Sequence, residues 1–241
     1  MDLRLAGRLL MLVTVSRMEK TPLHRTLEEA VTATPNETTP QAVVEITDWR
    51  QCLPTLTGAL VTLRELQPCD APSLLASVAN EEVSRFISPP PATIDGFERF
   101  IAWTQRERTA GRYVSFAIVP SGLDVAVGLF QLRSLEPDFG VCEWGFALAP
   151  EYWGTGIFTE GAELIIDFAF ETIGSHRLEA RAALRNARGN GALRKMGAIH
   201  EGILRRSLLK NGEYLDQALW TILRDEWMES KAVWGIHDTI H

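Results

Sequence analysis

Gly154 and Gly156 flank Thr155 just after an apolar run and just before a helical pattern, in the stretch PEYWGTGIFTEGA. A helix that starts directly behind a strand leaves its first backbone N–H groups without partners, and its dipole adds partial positive charge there. Two glycines let the chain curl so that those N–H groups face one anion, with no side chain in the way. A pyrophosphate suits such a cradle. The same glycines also suit a tight turn that needs them only for its own backbone angles, and GTG alone does not separate the two readings. A P-loop is a poor match, because Gly156 is followed by Ile157 and Phe158 rather than by lysine and a hydroxyl residue. A dinucleotide fingerprint would place glycine at Thr159 and an acidic residue near the end of the next strand, whereas Glu179 lies near that strand's beginning.

Glu143 stands in VCEWGFAL, the apolar run that leads into this loop. A carboxylate beside an apolar cleft can have a raised pKa suited to accepting a proton, directly or through water. The alternatives are a half-exposed strand carboxylate, or one that only binds its substrate. Cys142 precedes it, faces the other side of the strand and reads as a core thiol. Asn186, at the end of the following strand, offers a donor and an acceptor, for a ligand or for a plain turn. Arg194 and Lys195 either screen phosphates or are solvated helix charges. His176 and His200 are isolated and show no metal-ligand spacing, so no metal is expected.

The elements that must position these residues follow from periodicity. ALVTLREL reads as a strand, CDAPSLLASVAN as a helix opened by Asp70, and Thr93 caps a further helix carrying Phe97, Phe100, Ile101 and Trp103. RYVSFAIV, DVAVGLFQLRSL and VCEWGFAL read as three strands, the first two joined through PSGLD. A helix from about Phe158 to Thr172 follows the glycine loop. HRLEARAAL then reads as a strand, and a short helix ends at Gly197. Two last strands are joined through Asn211-Gly212, a strong hairpin signal. The order predicts an α/β fold (α+β mixed): a mostly antiparallel sheet of about seven strands flanked by helices, with one parallel pair across a right-handed crossover. For Phe146, Ala147 and Leu148 to offer backbone N–H groups to a ligand, that pair must splay apart, and Pro150 is a sensible place for pairing to stop.

The 241 residues, 46% hydrophobic and 23% charged, suffice for one large core plus a tail. A net charge of −7 argues against nucleic-acid binding. Cys52, Cys69 and Cys142 form no disulfide or zinc pattern, which fits a cytoplasmic protein with reduced thiols. The apolar run Leu9 to Val15 is too short to span a bilayer, so no membrane association is expected. Residues 1–55 are expected to be a partly irregular N-terminal extension, with a polar Thr21–Glu45 segment, 56–228 the folded domain, and 229–241 a tail. A homodimer is allowed by the sequence but not required by it.

Four stretches, in order and sensibly spaced, carry a resemblance: CEWGFALAP, PEYWGTGIFTEGA, NARGNGALRKMGAIHEGILRRS and NGEYLDQALWTILRDEW. Together they resemble the GNAT acyltransferase superfamily, and within it the RimJ/RimL-type ribosomal-protein N-terminal alanine acetyltransferases. The resemblance implies acetyl-CoA as co-substrate, no metal, and direct transfer of the acetyl group to a primary amine, with a protein N-terminal α-amine as acceptor. It implies Glu143 as the catalytic base. It implies cofactor contacts at Phe146, Ala147, Leu148, Trp153, Gly154, Thr155, Gly156, Ile157, Phe158, Thr159, Asn186 and Asn190. A small-molecule amine or antibiotic as acceptor, or a non-catalytic acyl-CoA-binding module, are the alternatives. Three positions depart from the pattern. Glu151 replaces a basic or amide residue at the start of the loop, Gly189 stands where a serine is common, and Trp220 replaces a tyrosine.

Overall fold

The structure, a computed structural model, describes residues 48–237. The Leu9 to Val15 run, the Thr21–Glu45 segment and the end of the tail lie outside these residues. Eight strands form one sheet: β1 (Leu56–Thr57), β2 (Val61–Glu65), β3 (Tyr113–Pro120), β4 (Gly128–Ser134), β5 (Val141–Leu148), β6 (Arg177–Ala183), β7 (Ile199–Lys210) and β8 (Glu213–Leu223). Their order is β1-β2-β3-β4-β5-β6-β8-β7. Among the described residues only β5 and β6 run parallel; every other pair is antiparallel. The strand beyond the expected seven is β1, whose two residues are too few to show alternation. DVAVGLFQLRSL forms strand only from Gly128 onward.

Helices cover both faces. On one side lie α1 (Ala71–Val78), the short α2 (Glu81–Ser84) and α3 (Ile94–Thr109). Thr93 caps α3 as expected, its hydroxyl accepting the Gly96 N–H at 3.0 Å. Asp70 does not cap α1 with its side chain; instead it grips Arg64 at 2.7 and 2.8 Å and accepts the Gln67 N–H. On the other face lie α4 (Ile157–Asp167), α5 (Ala187–Lys195) and α6 (Arg224–His237). α4 continues as a π-helical segment, Phe168–Ile173, that ends at Gly174 with φ 89°.

α4 buries Ile157, Gly161, Ala162, Ile165 and Ile166, one helical stripe turned onto the sheet. Gly161 is needed for this approach, since a β-carbon there would lie 2.8 Å from the Phe130 ring. Two apolar clusters result, one under α4 and centred on Phe116, Phe130 and Trp144, the other under α1 and α3 around Phe97, Ile101 and Leu129. Trp49 and Leu53 also belong to the first cluster, so packing starts ahead of residue 56. Arg108 of α3 holds that entering chain by donating to the Trp49 and Arg50 carbonyls while paired with Glu65.

Candidate functional site

β5 and β6 are bonded only from Val141/Arg177 to Glu143/Glu179, and beyond that the two strands part. β5 stays paired to β4 as far as Leu148/Gly128. Which amides enter the gap follows from the antiparallel ladder. The Ala149 N–H goes to Val127 O on the β4 side, so alternation sends the N–H groups of Gly145 and Ala147 the same way. Those of Phe146 and Leu148 turn toward the gap. Of the three consecutive residues expected to offer amides there, Ala147 has its own amide committed to β4. Leu148 O is taken by Trp153 Nε1 at 2.9 Å, which holds the next loop against the strand.

That loop bends through Gly154 (φ 78°) and Gly156 (φ 93°), and Gly156 is the N-cap of α4 with no side chain capping it. Among the described residues no acceptor takes the N–H groups of residues 154 to 159. The first turn of α4 therefore presents a row of unpaired amides beside the parted strands, with the helix dipole behind them. Thr155 and Ile157 play local roles. The Thr155 hydroxyl donates to Tyr152 O at 2.8 Å, and Ile157 is buried in the core.

A cleft of about 1180 Å³ opens between these elements. Phe146, Ala147, Leu148, Trp153, Gly154, Gly156, Phe158, Thr159 and Asn186 line it, and Asn190 does not. Asn190 Nδ2 donates to the Ala183 and Asn186 carbonyls while its Oδ1 accepts from Trp220 Nε1, so the side chain is spent on joining β6, α5 and β8. Asn186 is the N-cap of α5, its Oδ1 accepting the Gly189 N–H at 2.9 Å. This explains the glycine at 189: a β-carbon there would stand 2.5 Å from Asn186 Nδ2. Trp220 reaches Asn190 through its indole N–H, a bond the wider ring system makes possible. Glu151 is exposed on the loop.

Sequence reasoning named Lys195 as a residue that could screen phosphates but missed the rest of the cationic wall. Arg185, Arg188 and Lys195 line the cleft, and the Arg188 guanidinium lies 4.0 Å from the Trp153 ring centre. Arg194 instead turns to the Trp220 ring. α2 and the β7–β8 hairpin also line the cleft, with Glu81, Glu82 and Glu213 among their residues. Lys210 joins the two by donating to the Ser84 and Ile87 carbonyls, both at 2.8 Å. Burial there pushes its pKa down. No local pattern marks Arg185 and Arg188, whereas the segments that carry Glu81, Glu82, Lys210 and Glu213 are ones that the sequence reading expects around the acceptor.

Glu143 does not line the cleft. It is buried at 5% exposure on the face opposite Cys142, and its surroundings are ionic rather than apolar. Arg133 bonds its Oε2, and Arg181 Nε lies 3.8 Å from Oε1. Oε1 accepts no hydrogen bond, and Gln131 Nε2, on the same face of β4, donates none. Burial pushes the Cys142 thiol up to about 12, consistent with a core thiol rather than a nucleophile. Among the described residues no three His, Cys, Asp or Glu side chains gather as metal ligands. No helix among them is long and apolar enough to cross a membrane.

Known proteins are similar to this chain in sequence and fold. A family profile described as "Acetyltransferase (GNAT) domain" matches residues 61–199. The uncharacterized N-acetyltransferase p20 of Bacillus licheniformis is 24% identical over 174 residues, covering 72% of this chain and 98% of that protein. Spermidine N(1)-acetyltransferase of Escherichia coli strain K12 is 26% identical over 101 residues, 42% of this chain and 54% of that one. Among solved structures, ribosomal-protein-S5-alanine acetyltransferase from Vibrio fischeri matches with a TM-score of 0.65 at 20% identity, covering 72% of this chain and 98% of that one.

Proposed function

Because the chain belongs to the GNAT acetyltransferase family, we propose that it transfers an acetyl group from acetyl-CoA directly to a primary amine, with a protein N-terminal α-amine as acceptor. The observation that carries this reading is the parting of β5 from β6 beside the unpaired amides of residues 154 to 159. Those amides fit a diphosphate, and Arg188 and Lys195 add cationic charge along the same wall. When bound, acetyl-CoA supplies the activated acetyl group; the chain supplies position, hydrogen bonds and a proton acceptor.

The Phe146 and Leu148 N–H groups have no strand partner on the gap side, so an amide-bearing pantetheine arm can pair with β5 as an added strand would. One of these N–H groups then stabilises negative charge as it develops on the thioester oxygen. Glu143 is the proton acceptor for the amine, directly or through water. Cys142, on the other face of β5 with its thiol held protonated, forms no acyl intermediate. α2 and the β7–β8 hairpin wall the acceptor end.

A small cationic amine is the second reading, favoured by Glu81, Glu82 and Glu213 at that end and by the spermidine acetyltransferase among the relatives. Release of CoA thiol from acetyl-CoA, measured against N-terminal peptides and small amines, decides between them. Peptide-dependent release supports the first reading and release confined to polyamines the second. Tight CoA binding with no release against any acceptor leaves only a binding module.

A further inference from the structure

Glu160 lies in the first turn of α4, yet its carboxylate does not face the cleft. Oε1 accepts the Ala59 N–H at 2.8 Å, and Oε2 accepts the Leu60 and Val61 N–H groups at 2.7 and 2.9 Å. Three amides of the turn between β1 and β2 thus converge on one side chain a hundred residues away in sequence. The turn is shaped for it: a β-carbon at Gly58 would overlap the Glu160 carboxyl group. The contact returns to the glycine loop as well, since a β-carbon at Gly156 would lie 2.9 Å from Leu60 Cδ1. The segment with the unpaired amides is therefore braced from behind by the β1–β2 turn.

We propose that Glu160 is a positioning residue for the diphosphate of CoA: by tying the start of α4 to the β1–β2 turn it holds the amides of residues 154 to 159 at one convergence point. This rests on the function proposed above. The reasoning is that a cradle of separate amides loses most of its grip when they diverge, even by about 1 Å. Glu160 does not touch the ligand. As a negative charge in the first turn of α4 it opposes a phosphate, so removing its charge alone would tighten binding.

The test is calorimetric titration of the purified full-length chain with CoA. In Glu160→Gln an amide NH2 replaces one of the two accepting oxygens and faces N–H donors. Gly58→Ala forces the carboxylate off the turn while leaving the charge of α4 unaltered. Both are expected to raise the CoA Kd about tenfold. Asp167→Asn is the control: it weakens the bonds that hold Trp227 and Lys231 of α6 to the far end of α4, at 2.7 and 2.6 Å, and should leave the Kd unchanged. A Kd within twofold of wild type in both test variants, tighter binding in Glu160→Gln, or an equal loss in Asp167→Asn would each overturn the proposal. A wild-type chain that takes up no CoA overturns the function on which it rests, and the positioning role with it.

Discussion

Replacing Gly156 by alanine isolates the link between loop backbone and ligand. Gly156 has φ 93°, in the region where an L side chain costs roughly 1–2 kcal/mol. The β-carbon would also meet Leu60 Cδ1 at 2.9 Å, but Leu60 is 46% exposed and can swing away, so the backbone sets the cost. For a chain of this size that corresponds to a Tm loss of about 2–8 °C. Relief of the strain rotates the Gly156 and Ile157 amides away from their shared target. A hydrogen bond to a charged group contributes about 1.5–3 kcal/mol, so losing one weakens CoA binding roughly tenfold to a hundredfold. Gly122 supplies a matched control. Its φ is 82°, nothing lies within 4 Å of its β-carbon position, and it sits in the β3–β4 turn outside the cleft. Gly122→Ala should lower Tm by a similar amount and leave the CoA Kd untouched. Wild-type affinity in Gly156→Ala, or an equal loss in both variants, would refute the reasoning.

Glu143→Gln should lower turnover at saturating amine by about 10²–10⁴-fold while the acetyl-CoA Kd stays constant, measured by stopped assays and calorimetry; unchanged turnover removes Glu143 from the proton path. Lys210→Met unties α2 from the β7–β8 hairpin and should raise the acceptor KM about tenfold, with acetyl-CoA affinity unaltered; an equal change for both substrates would contradict the assignment of that end to the acceptor. Intact-mass analysis after alkylation of the native protein at pH 8 should show adducts at the exposed Cys52 and Cys69 and none at the buried Cys142. The same burial sets a pH trend. The folded chain keeps the Cys142 proton up to about 12, whereas the unfolded chain releases it from about 9. Stability is therefore complete below 9 and declines as pH rises toward 12; denaturation midpoints of wild type and Cys142→Ala should diverge over that window.

What the sequence alone determined is local or periodic. Alternation and turn chemistry place the strands: Asn211 and Gly212 carry φ 50° and 81° because a two-residue hairpin demands it. The helix behind Gly156 follows from an apolar stripe, and the free amides follow from any helix that begins without a cap. β1 escaped because two residues have no period, and the place of Trp49 and Leu53 in the core depends on contacts with distant strands. The tertiary structure alone decided everything that depends on two distant segments meeting. Parallel strands share no local signal for where they part, and the β5–β6 pairing ends at Glu143/Glu179. Asn186 and Asn190 offer the same groups to a ligand or to the chain; the fold spends Asn186 Oδ1 on a cap and the whole Asn190 side chain on joints. Glu143 is a carboxylate in any reading; its arginine partners arrive from β4 and β6, and Coulomb attraction acts through space, which the linear order of residues does not record.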